Sequence, residues 1–248
     1  MEERKIKEEI FTNKARNKFQ FNKKCYSITR ESENFFYKQI LKNIKSKNAR
    51  ILDYGCGSGI ITSKLSAKGF NVIGVDISNV NIKVCKENTR KKRIKNVKFY
   101  AMDCEKTKFP ENYFDIIVCH SILHHLNIEK AFQELRRILK PAGKIICLEP
   151  VAYNPLIQLY RKLTPNLRTK WEIKHILTLK DIEIAKKYFN IKEVRYFHLF
   201  TLFAIPLANT KLFNTSLDLF ERVDEKILKM PIINKLAWQI VIITEGKK

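Results

Sequence analysis

The sequence predicts a doubly wound α/β fold, in which helices cover both faces of a largely parallel sheet. From residue 50 onward, short apolar runs alternate with amphipathic segments. The apolar runs are nearly continuous, which is typical of strands that are buried on both faces. In folds of this class, ligands bind beyond the carboxyl ends of the strands.

The first part of this pattern predicts five strands and three helices. The apolar runs that predict the strands are 50–53, 71–76, 97–103, 114–120 and 144–149. The amphipathic stretches that predict the helices are 60–68, 79–92 and 128–140. Gly69 ends the first helix, and a Pro-Gly turn at 140–144 leads from the third helix into the fifth strand.

Further helices are predicted on both sides of this core. Residues 1–48 carry helical spacing of apolar positions, and residues 150–176 form a Pro-punctuated insertion. A helix is predicted over 178–189, a strand over 194–200, helical structure over 207–235 and a final buried strand over 237–244. No linker is long or polar enough to separate domains, so the 248 residues predict one domain.

The composition indicates a globular and strongly basic protein. The chain has 48 Lys and Arg against 25 Asp and Glu, a formal net charge of +23. A basic surface attracts nucleic acids and anionic membranes. The lysines are nevertheless spread along the whole chain, and we interpret the densest run, 90–98, as a solvated helix end.

The cysteines and the apolar stretches favour a reducing, cytoplasmic location. The amino-terminal stretch is charged throughout, unlike a secretory signal, and the longest apolar stretch, 197–208, is too short to span a membrane. The cysteines have no metal-binding or disulfide spacing. They are Cys25, Cys56, Cys85, Cys104, Cys119 and Cys147.

A glycine-rich loop follows the first predicted strand. Residues 51–59 read ILDYGCGSG, and Asp76 ends the second strand 21 residues after Gly55. The glycines allow a ligand to approach the backbone, and a carboxylate at the second strand end can accept from ribose hydroxyls. Ile60 stands where a dinucleotide fingerprint has a glycine, and the Lys-Ser/Thr of a phosphate loop is absent. The pattern predicts a different adenosine-containing cofactor.

Four motifs between residues 50 and 150 resemble class I S-adenosylmethionine-dependent methyltransferases of the small-molecule subgroup. They are ILDYGCGSG, VIGVDIS, AMDCEKTKFPENYFDIIVCHSILHHL and LRRILKPAGKIICLEP. The resemblance implies S-adenosyl-L-methionine as cofactor and a Rossmann-like seven-stranded sheet with an antiparallel last strand. It further implies a single methyltransferase domain, 1–248. Residues 1–48 would form a helical cap, 49–150 the cofactor-binding core, and 151–248 the completion of the sheet with helical insertions on the substrate side.

The same resemblance implies which residues hold the methionine part of the cofactor. Gly55, Cys56 and Gly57 are expected to line it, while Asp53 braces their loop. His120, at the end of the fourth strand, is expected to lie under the methionine portion.

A second set of residues is implied for the nucleoside. Asp76 is expected to bind the ribose, and Ile77 to pack on the adenine. Asp103 is expected to accept the adenine amino group, and the backbone N–H of Cys104 to meet a ring nitrogen.

Candidate catalytic residues follow the fourth and fifth strands. Methyl transfer needs a general base only when the acceptor loses a proton. His124, His125 and Glu149 are the candidates, with His175 and Tyr153 in the following insertion. Histidine titrates near neutral pH and suits an alcohol or phenol, which favours O-methylation of a small apolar or amphipathic molecule. A neighbouring His pair without carboxylate support is a poor Mg²⁺ site, so no metal is predicted.

Other functions remain open at the level of sequence. The charge permits a tRNA or RNA methyltransferase, although CHSI replaces the NPPY-type tetrapeptide of enzymes that act on nucleobase amines, and no RNA-binding module is recognised. A catalytically silent binding protein is disfavoured by the intact motifs. The segments 154–171 and 197–213 interleave apolar and basic residues, which fits an acceptor pocket, peripheral membrane contact or ordinary core helices. The sequence does not indicate the oligomeric state.

Overall fold

A seven-stranded sheet forms the centre of the protein, described by a computed structural model over residues 2–15 and 27–247. Its strands are β1 (Ile51–Tyr54), β2 (Val72–Asp76), β3 (Val97–Ala101), β4 (Phe114–His120), β5 (Leu139–Pro150), β6 (Phe189–Phe197) and β7 (Gln239–Gly246). Their spatial order is β3-β2-β1-β4-β5-β7-β6. The first five strands pair in parallel, and β7 is antiparallel to both β5 and β6. The predicted fold class, including the antiparallel last strand, is confirmed.

Helices pack on the two faces of this sheet. They are α1 (Glu3–Ala15), α2 (Arg30–Asn43), α3 (Ile60–Ala67), α4 (Asn79–Lys91), α5 (Ile128–Ile138), α6 (Pro155–Leu163), α7 (Lys170–Lys174), α8 (Leu179–Tyr188) and α9 (Phe213–Ile227). Shorter 3₁₀ turns occur at Ser27–Thr29, Leu123–His125, Pro165–Leu167, Thr201–Leu207 and Ile233–Leu236.

Alternating side chains of β1 supply two separate hydrophobic cores. Leu52 and Tyr54 lie in the core on the α5 and α8 side, whereas Ile51 lies in the core on the α2 and α3 side. Successive residues of a strand point to opposite faces, so a short apolar strand can supply both layers. Because β1, β2 and β4 pair in parallel, their carboxyl ends meet at one edge of the sheet, between the two layers of helices.

The structure differs from the sequence predictions mainly after residue 139. The three predicted core helices begin as expected and end within two residues of the predicted positions. The turn predicted at 140–144 is instead part of β5, because Leu139 already pairs with Phe114, and a register shift follows. β6 begins at Phe189, before the predicted 194, because its polar first half pairs with β7. Part of the helical prediction for 1–48, and Cys25, lie outside the described residues.

Candidate active site

The loop between β1 and α3 exposes bare backbone at the carboxyl edge of the sheet. Gly55, Gly57 and Gly59 have φ angles of 77°, 48° and 73°, a region that favours glycine. A Cβ added at Gly55 would lie 2.3 Å from Ile122, whereas one at Gly57 would meet nothing within 4 Å. The loop therefore packs closely at Gly55 and opens toward free space at Gly57, as a backbone cradle for a ligand requires.

Two predicted cofactor residues support this loop from behind. Asp53 is buried, and its Oδ2 accepts hydrogen bonds from the backbone N–H of Thr62 at 3.0 Å and from the Thr62 hydroxyl. Burial raises the pKa of Asp53 to about 6. The Cys56 side chain belongs to a buried cluster with Ile82, Cys85 and Phe99. The structure thus places the Cys56 thiol away from the cavity wall on which it was expected.

Asp76 joins the ends of β1 and β2. Its Oδ2 accepts a hydrogen bond from Gly57 N–H, and its Oδ1 accepts one from Ser78 N–H, both at 2.9 Å. Burial raises its pKa, and these hydrogen bonds oppose the rise. The side-chain amide of Asn81 also donates to Oδ1, at 3.4 Å. Because each carboxylate oxygen has two lone pairs, Oδ2 retains acceptor capacity toward a ligand in the cavity.

A cavity of about 220 Å³ lies over these strand ends. Its wall includes seven of the nine predicted cofactor-site residues: Gly55, Gly57, Asp76, Ile77, Asp103, Cys104 and His120. The topology explains this convergence, since all seven follow or end parallel strands whose carboxyl ends share one edge. His120 is also held by Glu33 of α2, with Nε2 2.8 Å from a carboxylate oxygen.

Helix α1 closes the cavity from above, a contact that the sequence did not reveal. Arg4, Lys5, Glu8 and Thr12 line the wall. Lys5 Nζ lies 2.7 Å from Oδ2 of Asp103 and 3.0 Å from Glu105, while Arg4 also pairs with Glu105. The sequence shows that α1 is charged, but it does not show that the partners of Arg4 and Lys5 lie about a hundred residues further along the chain.

His124 and Glu149 form a buried pair beneath the cavity. His124 Nδ1 lies 2.8 Å from Glu149 Oε2, and Glu149 Oε1 accepts from the N–H groups of Ile122 and Leu123 at 2.8 Å each. Burial, together with the nearby His125, lowers the pKa of His124 despite its carboxylate partner. Neither side chain lines the cavity. Because Glu149 binds both the backbone and the His124 ring of the 3₁₀ turn Leu123–His125, the pair holds this turn in place.

His125 differs from its neighbour, because its ring lies on the cavity wall. Its Nδ1 lies 3.0 Å from Oε2 of Glu8 on α1, and Glu8 also accepts from the Thr169 hydroxyl. Burial lowers the pKa of His125, but the hydrogen bond to Glu8 and the charges of Glu172, Glu8 and Glu149 outweigh it, so the net pKa is raised. The arrangement is a carboxylate-oriented imidazole facing a cavity.

The remaining candidates lie away from this centre. His175 is exposed and stacks on Trp171, with ring centroids 3.5 Å apart. The Tyr153 hydroxyl accepts from Leu179 N–H at 3.1 Å. Neither residue lines the cavity. Within residues 2–15 and 27–247, no group of three or more His, Cys, Asp or Glu side chains is arranged to hold a metal ion.

Comparisons with known proteins match the centre of the chain and its fold. A family model described as a methyltransferase domain matches residues 52–147. The ubiquinone/menaquinone biosynthesis C-methyltransferase UbiE of Rickettsia akari is 37% identical over 120 residues, covering 45% of this chain and 48% of that protein. The chain therefore spans about half the length of the curated relatives that it matches.

Two solved structures show the same fold at low sequence identity. The PH0226 protein of Pyrococcus horikoshii has a TM-score of 0.58 at 21% identity, with 88% of this chain and 91% of that chain covered. A Streptomyces coelicolor geranyl diphosphate C-methyltransferase, solved with Mg²⁺, geranyl diphosphate and S-adenosyl-L-homocysteine, has a TM-score of 0.61 at 14% identity, covering 86% and 80%.

Proposed function

Because residues 52–147 belong to the class I S-adenosylmethionine-dependent methyltransferase family, we propose that this protein methylates a small apolar molecule. The single observation that carries the proposal is the position of His125. This carboxylate-oriented base shares one cavity with the glycine cradle and with Asp76. One cavity thus combines a cofactor site with a base that can take a proton from the molecule to be methylated.

The residues of the cavity fit the cofactor in kind and in position. Gly57 presents open backbone, Asp76 offers a carboxylate for the ribose hydroxyls, and Asp103 offers one for the adenine amino group. S-adenosyl-L-methionine supplies an electrophilic methyl group when bound. The protein contributes by orienting the two reactants, which alone accounts for much of the rate in a displacement reaction.

His125 is proposed as the general base. The depressed pKa of Glu8 keeps this carboxyl ionised, so it only accepts, and Nδ1 of His125 must carry the shared proton. The Nε2 atom is then the basic nitrogen available to the acceptor molecule. Glu8 acts through His125 and is a positioning residue. His124 and Glu149, predicted as catalytic from the sequence, are proposed to position the turn that carries His125.

Carbon is proposed as the methylated atom, in place of the oxygen favoured by the sequence. The support is the activity named for the curated relatives, which are C-methyltransferases. Methylation of an aromatic or enolic carbon also releases a proton, so a base at His125 is compatible with either atom. Oxygen methylation is the second candidate. The structure of the methylated product distinguishes the two.

Labelled cofactor and fractionated cell extract test the proposal. The protein is incubated with S-adenosylmethionine carrying a ¹³C methyl group, and the small polar, lipid and RNA fractions are analysed by NMR. We expect the label in an apolar small molecule as a carbon-bound methyl group. A methoxy signal would establish the oxygen alternative, and label in RNA would overturn the small-molecule proposal. The Asp76→Ala variant controls for methylation by contaminating enzymes.

A further inference from the structure

Helix α6 presents a stripe of leucines to solvent. Leu156, Leu159 and Leu163 are 43%, 55% and 72% exposed, respectively. At 100° per residue, the three positions fall within about 60° of one another, so they form one continuous face. The opposite side of the helix is anchored, because Ile157 packs into a core with Leu202 and Phe213. The stripe is therefore the outer face of a fixed helix.

Basic side chains accompany this stripe. Lys162 on α6 and Lys170 and Lys174 on α7 are exposed, and no ion pair to any of the three occurs within the described part of the chain. Glu172 is the sole acid of the segment 151–180, which holds six Lys or Arg residues, and it pairs with Arg168 at 3.5 Å. An exposed apolar face with uncompensated positive charge beside it is the pattern of a helix that lies in a membrane interface.

The position of the stripe relates it to the cavity. β5 ends at Pro150 on the same edge of the sheet as the cavity, and α6 follows directly. α7 contacts the helix that covers the cavity, since Arg4 lies 4.5 Å from the Trp171 ring centroid and Thr169 donates to Glu8. The basic and apolar segment thus lies next to the helix that covers the cavity.

We propose that α6 and α7 dock this protein on an anionic membrane surface, with the leucine stripe in the interface and the three lysines against lipid phosphates. The occupant follows from charge complementarity, because anionic headgroups attract exposed lysines close to the surface. The proposed contact is a peripheral one. No helix within residues 2–15 and 27–247 is long and apolar enough to cross a membrane. The docking is independent of cofactor binding and of the methylated atom.

Vesicle co-sedimentation of the full chain tests the proposal. Wild-type protein is mixed with vesicles of phosphatidylglycerol and phosphatidylcholine, or of phosphatidylcholine alone. We expect binding to the anionic vesicles that is at least tenfold stronger and that weakens with salt. Equal binding to both compositions, or no binding to either, would overturn the proposal.

Two matched pairs of variants separate this surface from the general charge of the chain. Leu159→Asp is compared with Val80→Asp, an exposed apolar residue on α4. The triple change of Lys162, Lys170 and Lys174 to Gln is compared with that of Arg90, Lys91 and Lys92 to Gln, also exposed. The α6–α7 variants should bind at least tenfold more weakly, and the α4 variants nearly as wild type.

Circular dichroism confirms that each variant is folded. Similar losses in both members of either pair would overturn the proposal. So would a dimer, seen by sedimentation velocity, that Leu159→Asp abolishes while vesicle binding persists, because the stripe would then face a second copy.

Discussion

The ammonium group of Lys5 lies 2.7 Å from the carboxylate of Asp103, although the two residues are 98 positions apart in the chain. This ion pair holds α1 across the site predicted for the adenine. The cavity that remains, about 220 Å³, is smaller than the 300–1,000 Å³ typical of ligand sites. We therefore expect helix α1 to shift when the cofactor enters.

Replacing Lys5 should accelerate cofactor exchange. Lys5→Gln removes the ion pairs to Asp103 and Glu105, so the open arrangement is populated more often. We expect association and dissociation rates of S-adenosylmethionine, measured by stopped-flow fluorescence, to rise about threefold or more. Lys7→Gln is the matched control, because Lys7 is exposed and pairs within α1, with Glu3. Equal rates in all three proteins would show that α1 does not limit entry.

Replacing Asp76 should weaken cofactor binding. Asp76→Asn removes the negative charge that would accept from the ribose hydroxyls, and a hydrogen bond to a charged group contributes about 1.5–3 kcal/mol. The dissociation constant from calorimetry should rise roughly tenfold or more. Asp115→Asn is the control, since this aspartate lies at the start of β4 and pairs with Lys140. A folded Asp76 variant with wild-type affinity would refute the ribose assignment.

The pH dependence of methyl transfer should depend on Glu8. Because the pKa of His125 is raised, the basic form and the rate should increase as pH rises through a value above 6.5. Glu8→Gln removes an anion that stabilises the imidazolium, so the inflection should move to lower pH. His124, Glu149 and Glu172 also act on this ring, and Arg4 donates to the His125 carbonyl oxygen; all four remain in the variant.

Imidazole NMR titration measures the same shift without an acceptor molecule. The His125 pKa should fall in Glu8→Gln and stay unchanged in Glu9→Gln, a neighbouring acid on α1. An unchanged His125 pKa in Glu8→Gln would contradict the assigned pairing. A shifted pKa with an unshifted rate profile would instead show that His125 is not the base.

His198 should make the fold sensitive to acid. The ring is fully buried between Ser32 and Thr201, and burial lowers its pKa to about 3 from the usual 6.5. The unfolded chain therefore binds more protons than the folded one between pH 6.5 and 3. Stability should decrease by about 1.4 kcal/mol for each unit by which the pH is lowered in this range. His198→Asn should remove about 2 kcal/mol of the loss between pH 6.5 and 5 in urea unfolding. Asparagine tolerates the φ of 66° found here.

The exposed His175→Asn is the control for this measurement. Asp53, whose raised pKa gives the opposite slope between about 4 and 6, is common to all three proteins and cancels in the differences. Identical acid sensitivity in wild type and His198→Asn would contradict the buried neutral ring.

The basic run at the end of α4 should be dispensable for methyl transfer. Replacing Arg90, Lys91, Lys92 and Arg93 by Gln changes exposed residues that precede β3, at the edge of the sheet opposite the cavity. Turnover and its salt dependence should remain nearly those of wild type, because a compact acceptor contacts few phosphates. A variant that binds cofactor but loses activity, with label found in tRNA, would restore the RNA alternative.

The sequence predicted the features of the site that depend on local order along the chain. Gly55, Asp76 and Asp103 each lie at or just after a strand end, and parallel topology alone brings such positions together. The different environments of His124 and His125 could not be predicted, because the two residues are adjacent and identical in type. One is buried against Glu149, and the other faces the cavity beside Glu8, which comes from a helix far away in sequence.

The antiparallel β7 also has a consequence for biosynthesis. It is synthesised after β5 and β6, yet it lies between them in the sheet. At 5–20 residues per second, roughly 5–20 s pass between completion of β5 and completion of β7. During this interval β5 exposes an unpaired apolar edge, which can add strands from other nascent chains. Chaperone supply and translation rate should therefore influence the yield of folded protein, separately from the stability of the finished sheet.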